Sequence, residues 1–252
     1  MKRASYLLRF MLLAVLSLSA LVPAPQTGAQ TTPTVGSEQT PIDIRNEDLT
    51  FVEDLTALGF SYGTKVPLKI INKDAPDEFG TVRAELTNGG GELTVGTTTY
   101  KLLQFHFHTP SEHELNGEKF PMELHLVHKV VDETSPENGT LSVVGIFIKA
   151  GKEHKELSRI FSELPAQPGQ ERLVPRFNLT KLLPHGLESY RYRGSLTTPN
   201  FDEGVRWVVL AEPIEMSEAQ IEAFKQLFPE GNSREVQPLN GRTIYTDVEP
   251  ED

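Results

Sequence analysis

The chain has 252 residues, 38% hydrophobic and 23% charged, with a formal net charge of −11 and no cysteine. That length suits one large domain with a sizeable core. The acidic balance excludes a general affinity for nucleic acid, and the absence of cysteine excludes disulfides, thiolate metal ligands and cysteine nucleophiles.

Residues 1–29 read as a signal peptide. Lys2, Arg3 and Arg9 make a positive start, and residues 10–22 form an apolar core too short to span a bilayer comfortably. Small residues follow, with cleavage expected near Ala24 or Ala29. Export to a periplasm or out of the cell is the expectation, with no membrane attachment once the signal is removed. Residues 30–40 are polar and read as a flexible leader. The folded domain is expected over residues 41–248, with residues 249–252 an acidic tail.

Residues 66–71 and 81–86 read as strands around a turn-rich loop at 72–80. A turn at 88–91 leads to a strand at 92–95, and a second turn around Gly96 leads to a strand at 100–108. Residues 109–122 form a polar connection to the next strand, 123–131. A further loop precedes residues 141–150, an apolar run of buried-strand character. Residues 153–164 read as a helix with Leu157, Ile160, Phe161 and Leu164 on one face, closed by Pro165. Residues 165–189 look loop-rich. Strands at 190–194 and 205–210 flank the sequence SLTTP. Residues 217–228 read as a helix opened by a capping box of Ser217 and Gln220. Residues 232–242 look irregular. Roughly eight strands and two helices result from this pattern count, and the hairpin turns favour an antiparallel sheet.

The stretch 100–128 carries the chemistry. Side chains alternate along a strand, so Gln104, His106 and His108 share one face, and Glu123, His125 and Val127 share one face of the next strand. Antiparallel pairing brings His125 beside the other two. Three neutral imidazoles leave one of the four tetrahedral positions of zinc open, which marks a catalytic site rather than a closed structural one. Each ligand needs its other nitrogen held by an acceptor, and Gln104 and Glu123 lie on the right faces. A lone histidine is more often packed or hydrogen-bonded than ligating; three on compatible faces reverse that balance. His113 and His128 read as hydrogen-bonded structural residues, while His154 in its helix and His185 in a loop read as solvated.

The segments QFHFHTPSEH, ELHLVH, LSVVGIFIKAG, GSLTTP and QPLNGR, with PIDI ahead of them, resemble in order the α-class carbonic anhydrases, especially secreted bacterial members. The resemblance implies a single, mainly β domain of the α+β class: a large, twisted, mostly antiparallel sheet with a few helices and zinc in a conical cleft. It implies a carbonate dehydratase, a zinc lyase in which zinc-bound hydroxide reversibly hydrates CO2 to bicarbonate and a proton. The zinc ligands it implies are His106, His108 and His125. Thr197 is matched to the hydroxyl that orients the hydroxide and donates to Glu112. Thr198 matches a position near bicarbonate. Val127, Val143, Leu196, Val205 and Trp207 match the CO2 pocket. Gln104, Glu123 and the main-chain carbonyl of Asn232 match the groups that hold the ligands.

Residues 72–86 contain no histidine where many relatives carry a proton shuttle. The shuttle is therefore unknown, with Glu78 and Glu85 as stand-ins, although a carboxylate of ordinary pKa, about 4, relays poorly at pH 7. The aromatic segment that usually precedes PIDI is also missing, and Trp207 is the sole tryptophan. That leaves either an open rim or a homodimer in which a partner subunit covers it. The alternative reading is a non-catalytic carbonic-anhydrase-like binding protein, weakened because the ligands, Glu112 and Thr197 are all present. Esterase activity is expected as a weak side reaction.

Overall fold

The central strand of the molecule alternates as its sequence dictates, with Phe105 and Phe107 buried on one face and Gln104, His106 and His108 on the other. The computed structural model describes residues 36–73, 80–132 and 140–249. The expected signal peptide, the first part of the leader, Glu78 and residues 250–252 lie outside them. In chain order the strands are β1 (Asp43–Ile44), β2 (Leu49–Phe51), β3 (Leu58–Tyr62), β4 (Val66–Lys73), β5 (Thr81–Leu86), β6 (Gly91–Val95), β7 (Thr98–His108), β8 (Glu114–Leu115), β9 (Glu118–Lys119), β10 (Met122–Val130) and β11 (Leu141–Ala150). Helix α1 (Ser158–Phe161), β12 (Glu171–Phe177), β13 (Ser189–Ser195), β14 (Glu203–Met216), helix α2 (Glu218–Lys225) and β15 (Ile244–Thr246) complete the order.

Twelve strands form one mixed sheet whose main path runs β12-β4-β5-β7-β10-β11-β14-β13-β15-β2, with β6 also on β7 and β3 on β6. Pairing is antiparallel except at β11–β14 and β15–β2. β1, β8 and β9 make a small separate sheet. β7 is 11 residues long, and its outer edge is shared: residues 98–101 pair with β6 and residues 104–106 with β5. The inner edge pairs with β10.

Apolar side chains fill both faces. Behind the sheet, Phe105, Phe107, Leu124, Leu126, Val144 and Ile146 pack with α1 and α2 residues such as Phe161 and Phe224. In front, a smaller cluster holds Val127, Val143, Val205, Val209 and Trp207. Both faces are covered, so residues 122–128 of β10 are all buried.

Several expectations change. The expected helix at 153–164 shortens to the four residues of α1. His154 lies outside it and is half-buried rather than solvated: its Nδ1 accepts the Leu157 amide at 3.1 Å and its Nε2 lies 2.9 Å from the Lys181 carbonyl. A side-chain acceptor there caps the turn, so the chain before Leu157 need not be helical. The region 165–189 hides a strand, β12. Pro175 interrupts it, and proline is tolerated because β12 is the sheet's edge strand with a register shift at that point. The last residues of the expected leader are not loose. Gln39 and Thr40 are buried, and Thr40 and Ser195 exchange hydrogen bonds of 3.0 and 3.1 Å. α2 carries the expected capping box.

Candidate metal centre

Strand register places the site. Directly opposed residues share a face, so Arg83, His106, His125, Gly145 and Val209 form one row across five strands. The next row is Glu85, Gln104, Val127, Val143 and Trp207. His108 stands opposite Glu123 on the other side of the first row. Gly145 interrupts an apolar strand for a local reason: a Cβ there would lie 3.0 Å from Glu123 Oε1.

The three imidazoles converge. Ring centroids lie 5.0 Å apart for His106 and His108, 5.3 Å for His106 and His125, and 4.6 Å for His108 and His125. One nitrogen of each lies within 4.8 Å of the others, an arrangement able to hold a metal ion. The opposite nitrogens are each held: His106 Nδ1 lies 2.9 Å from Gln104 Oε1, His108 Nδ1 2.9 Å from the Asn232 carbonyl, and His125 Nε2 2.8 Å from Glu123 Oε1. These contacts select the tautomers that turn His106 Nε2, His108 Nε2 and His125 Nδ1 toward the common point. His108 Nε2 is buried with no protein partner, as an atom waiting for a metal would be. Burial holds all three histidines below their ordinary pKa, His108 down to about 4, so they present neutral lone pairs.

The distant Asn232 contact is built from its own side chain. Asn232 Oδ1 accepts the Thr109 amide at 2.8 Å, and its Nδ2 donates to the carbonyls of Phe107 and Gly80. The irregular 232–242 segment is thereby pinned against β7. That fixes the Asn232 carbonyl on His108 and brings the Arg234 amide 2.9 Å from Glu112 Oε1.

Glu123 is fully buried and saturated. Its Oε2 accepts the amides of Glu112 and His113 at 2.8 and 2.9 Å, while its Oε1 meets His113 Nδ1 at 2.7 Å as well as His125. Burial pushes its pKa up, but His113 and His125 outweigh that and hold it well below the usual carboxylate range. His113 Nε2 lies 2.6 Å from the Tyr192 hydroxyl, which donates to Thr40. Sequence reading placed His113 only as a structural residue and missed Tyr192, Thr40 and the Arg234 amide. Nothing local marks the last three, because their partners are far away along the chain.

Glu112 differs from Glu123. It too is fully buried, and burial raises its pKa to about 7, against the lowering effects of His125, the Arg234 amide and the neighbouring Thr197 hydroxyl, although Glu112 Oε2 has no partner at hydrogen-bond geometry. A bound dication would act in the same lowering direction. Thr197 sits in the short loop between β13 and β14, which is closed by the bonds from Leu196 N to Asp202 O and from Phe201 N to Thr198 O. The loop holds Thr197 buried and leaves Leu196 and Thr198 half-buried beside it.

Val127, Val143, Val205 and Trp207 lie together in the front cluster, with Leu196 packed against them. The Trp207 indole donates to the Ser195 carbonyl at 2.9 Å, and its centroid is 4.9 Å from that of His125. On the other side, Glu85 is engaged by Arg83 and, at 3.2 Å, by Lys69, which also meets Glu171 at 3.3 Å. Burial raises the Glu85 pKa, but the two cations outweigh it and leave the carboxyl below its ordinary value. Glu85 is thus further from a relay at pH 7 than its type alone suggested.

A mixed β-sheet with a buried three-imidazole metal pocket, and a threonine and carboxylate beside it, defines the class. The sequence matches the model of the eukaryotic-type carbonic anhydrase family over residues 26–248. A carbonic anhydrase of Neisseria gonorrhoeae is 37% identical over 209 residues, covering 83% of this chain and 77% of that protein. One from a Nostoc species is 38% identical over 216 residues, covering 83% and 76%. The α-carbonic anhydrase of Thermovibrio ammonificans, solved with the inhibitor sulfanilamide, superimposes with a TM-score of 0.75 at 39% identity, covering 84% of this chain and 88% of that one. The chain belongs to the eukaryotic-type, or α-class, carbonic anhydrase family.

Proposed function

We propose that the protein holds Zn2+ through His106, His108 and His125 and works as an exported carbonate dehydratase. Its reaction is the family's reversible hydration of CO2 to bicarbonate and a proton. The observation that carries the metal assignment is the convergence of three neutral imidazole nitrogens, each braced from behind, around a buried His108 Nε2 that has no protein partner. Zn2+ bound there supplies a nucleophile at neutral pH by lowering the pKa of its water to about 7, a value known from carbonic anhydrase itself.

The chain's own residues set the rest. Gln104, Glu123 and the Asn232 carbonyl fix ring orientation, and the Glu123 carboxylate offsets part of the metal's charge. Thr197 spends its only proton on Glu112, so its oxygen can only accept a hydrogen bond from a group beside it. That one-way bond orients the attacking group. Val127, Val143, Leu196, Val205 and Trp207 exclude water and suit a neutral linear molecule. Thr198 contacts the anionic product. With no histidine in residues 80–86 and Glu85 held ionised, proton release is the slow step at low buffer. Esterase activity is a weak side reaction. Residues 1–29 direct export; no helix among the described residues is long and apolar enough to cross a membrane.

Stopped-flow CO2 hydration on zinc-replete protein, with sulfanilamide added in parallel, tests the assignment. Rapid hydration blocked by sulfanilamide is expected. Zinc-replete, folded protein that leaves CO2 at its uncatalysed rate would refute it.

A further inference from the structure

Thr197 rides on the short loop 196–202 between β13 and β14, and Ser195 and Glu203 face each other at its base. A side chain from the other end of the chain bridges that base. Gln39 is buried, and its carboxamide reaches both ends of the loop. After Thr197, its Nε2 donates to Glu203 Oε1 at 2.9 Å and to the Phe201 carbonyl at 3.3 Å. Before Thr197, its Oε1 lies 3.3 Å from the Ser195 hydroxyl, whose proton is shared with the Leu196 carbonyl at 2.8 Å. A carboxamide suits this place because one planar group offers an acceptor and two donors.

The loop also needs a clamp. Phe201 has a φ of 60°, a left-handed conformation uncommon for a bulky residue, so surrounding contacts must hold it there. Gln39 supplies one. Arg234 supplies another: its guanidinium lies 3.8 Å over the Phe201 ring while its Nη1 donates to the Thr40 carbonyl at 2.6 Å. The chain has no cysteine, so no disulfide ties the leader to the loop.

We propose that Gln39 is a positioning residue that sets the aim of Thr197 by clamping both ends of its loop from the leader. The inference rests on the role given to Thr197 above and adds what holds that hydroxyl beside Glu112. The last leader residues then serve the reaction without touching the metal pocket. The triad is braced separately, by Gln104, Glu123 and the Asn232 carbonyl. Loosening Gln39 should therefore cost rate and leave the metal in place.

The test is a double-mutant cycle on zinc-loaded protein, read by stopped-flow hydration and zinc content. Gln39→Met keeps the length of the side chain and removes its hydrogen bonds. It should lower kcat/KM about tenfold, the scale of one or two lost hydrogen bonds, with zinc at one equivalent. In a Thr197→Ala background the same change should cost less than about twofold, because there is no hydroxyl left to aim. Gln39→Asn, an amide one carbon too short to span both ends, is read the same way should Gln39→Met fail to fold. Gln39→Glu sets a carboxylate against Glu203, and adding Glu203→Gln should recover part of its lost rate. A wild-type rate in both Gln39→Met and Gln39→Asn, a full tenfold loss repeated in the Thr197→Ala background, or loss of zinc would overturn the proposal. The reading of Thr197 fails separately, if Thr197→Ala alone hydrates CO2 at the wild-type rate.

Discussion

The two sides of the metal pocket are made from the same sheet yet differ in chemistry. The β10–β11–β14 side presents Val127, Val143, Val205 and Trp207, all buried in one cluster. The β4–β5 side presents Lys69, Arg83 and Glu85, each partly exposed and tied into ion pairs. The row Glu85, Gln104, Val127, Val143, Trp207 crosses from one to the other through the brace of His106. A single sheet thus carries a gradient from ionic to apolar with the triad at the junction. The two sides also resist damage differently. Ion pairs near solvent contribute little to stability, so change on the charged side is tolerated by the fold. The apolar side is packed, so change there costs stability and shape together.

The junction is the most sensitive place. His108→Ala is expected to abolish metal binding and to lower hydration by a thousandfold or more, on the order of what losing the nucleophile's source implies; metal content and stopped-flow rates check both. Next comes Thr197→Ala, which leaves all three imidazoles in place. Zinc should stay at one equivalent while kcat/KM falls about 100-fold, the usual scale for losing one aligned hydrogen-bonding group. A loss of zinc in that variant would show that Thr197 acts on the metal and not on the reacting group.

Substitutions on the sides should have smaller, opposite signatures. Val143→Phe fills the space beside Val127 and Trp207. Hydration should drop about tenfold and stability by about 1–3 kcal/mol from overpacking, measured by kcat/KM and denaturant midpoint. An unaltered rate would place CO2 elsewhere. The smallest effect belongs to the charged side. Because Glu85 is held below its ordinary pKa, it is a poorer relay at pH 7 than a carboxyl of ordinary pKa, and added imidazole buffer should raise kcat. A kcat independent of buffer, down to low millimolar concentrations, would point to a relay already built into the protein.

How much of this was readable beforehand follows from the range of each interaction. The triad was legible because strand alternation fixes faces and the two strands are close in sequence; the His125–His106 register needed only a hairpin-like pairing. Gln104 and Glu123 were legible for the same reason, being two residues from the rings they hold. The His113–Tyr192–Thr40 chain was not, since its partners lie 79 and 152 residues apart. Nor was the place of Arg83, which depends on β5 pairing with one half of β7 while β6 takes the other. The front apolar residues read as ordinary core until a family resemblance separated them from it. The short strands β2, β3 and β15 escaped because their few residues carry too little alternation to stand out, and β12 because Pro175 argues against a strand anywhere but at an edge.

On the proposed function, three braced imidazoles make a single catalytic zinc position. Zinc titrated into metal-free protein, with the CO2 hydration rate followed at each addition, tests it most directly. The rate should rise in proportion to zinc and level off at one equivalent per chain. A site that fills at one equivalent while hydration stays at the uncatalysed rate would contradict it.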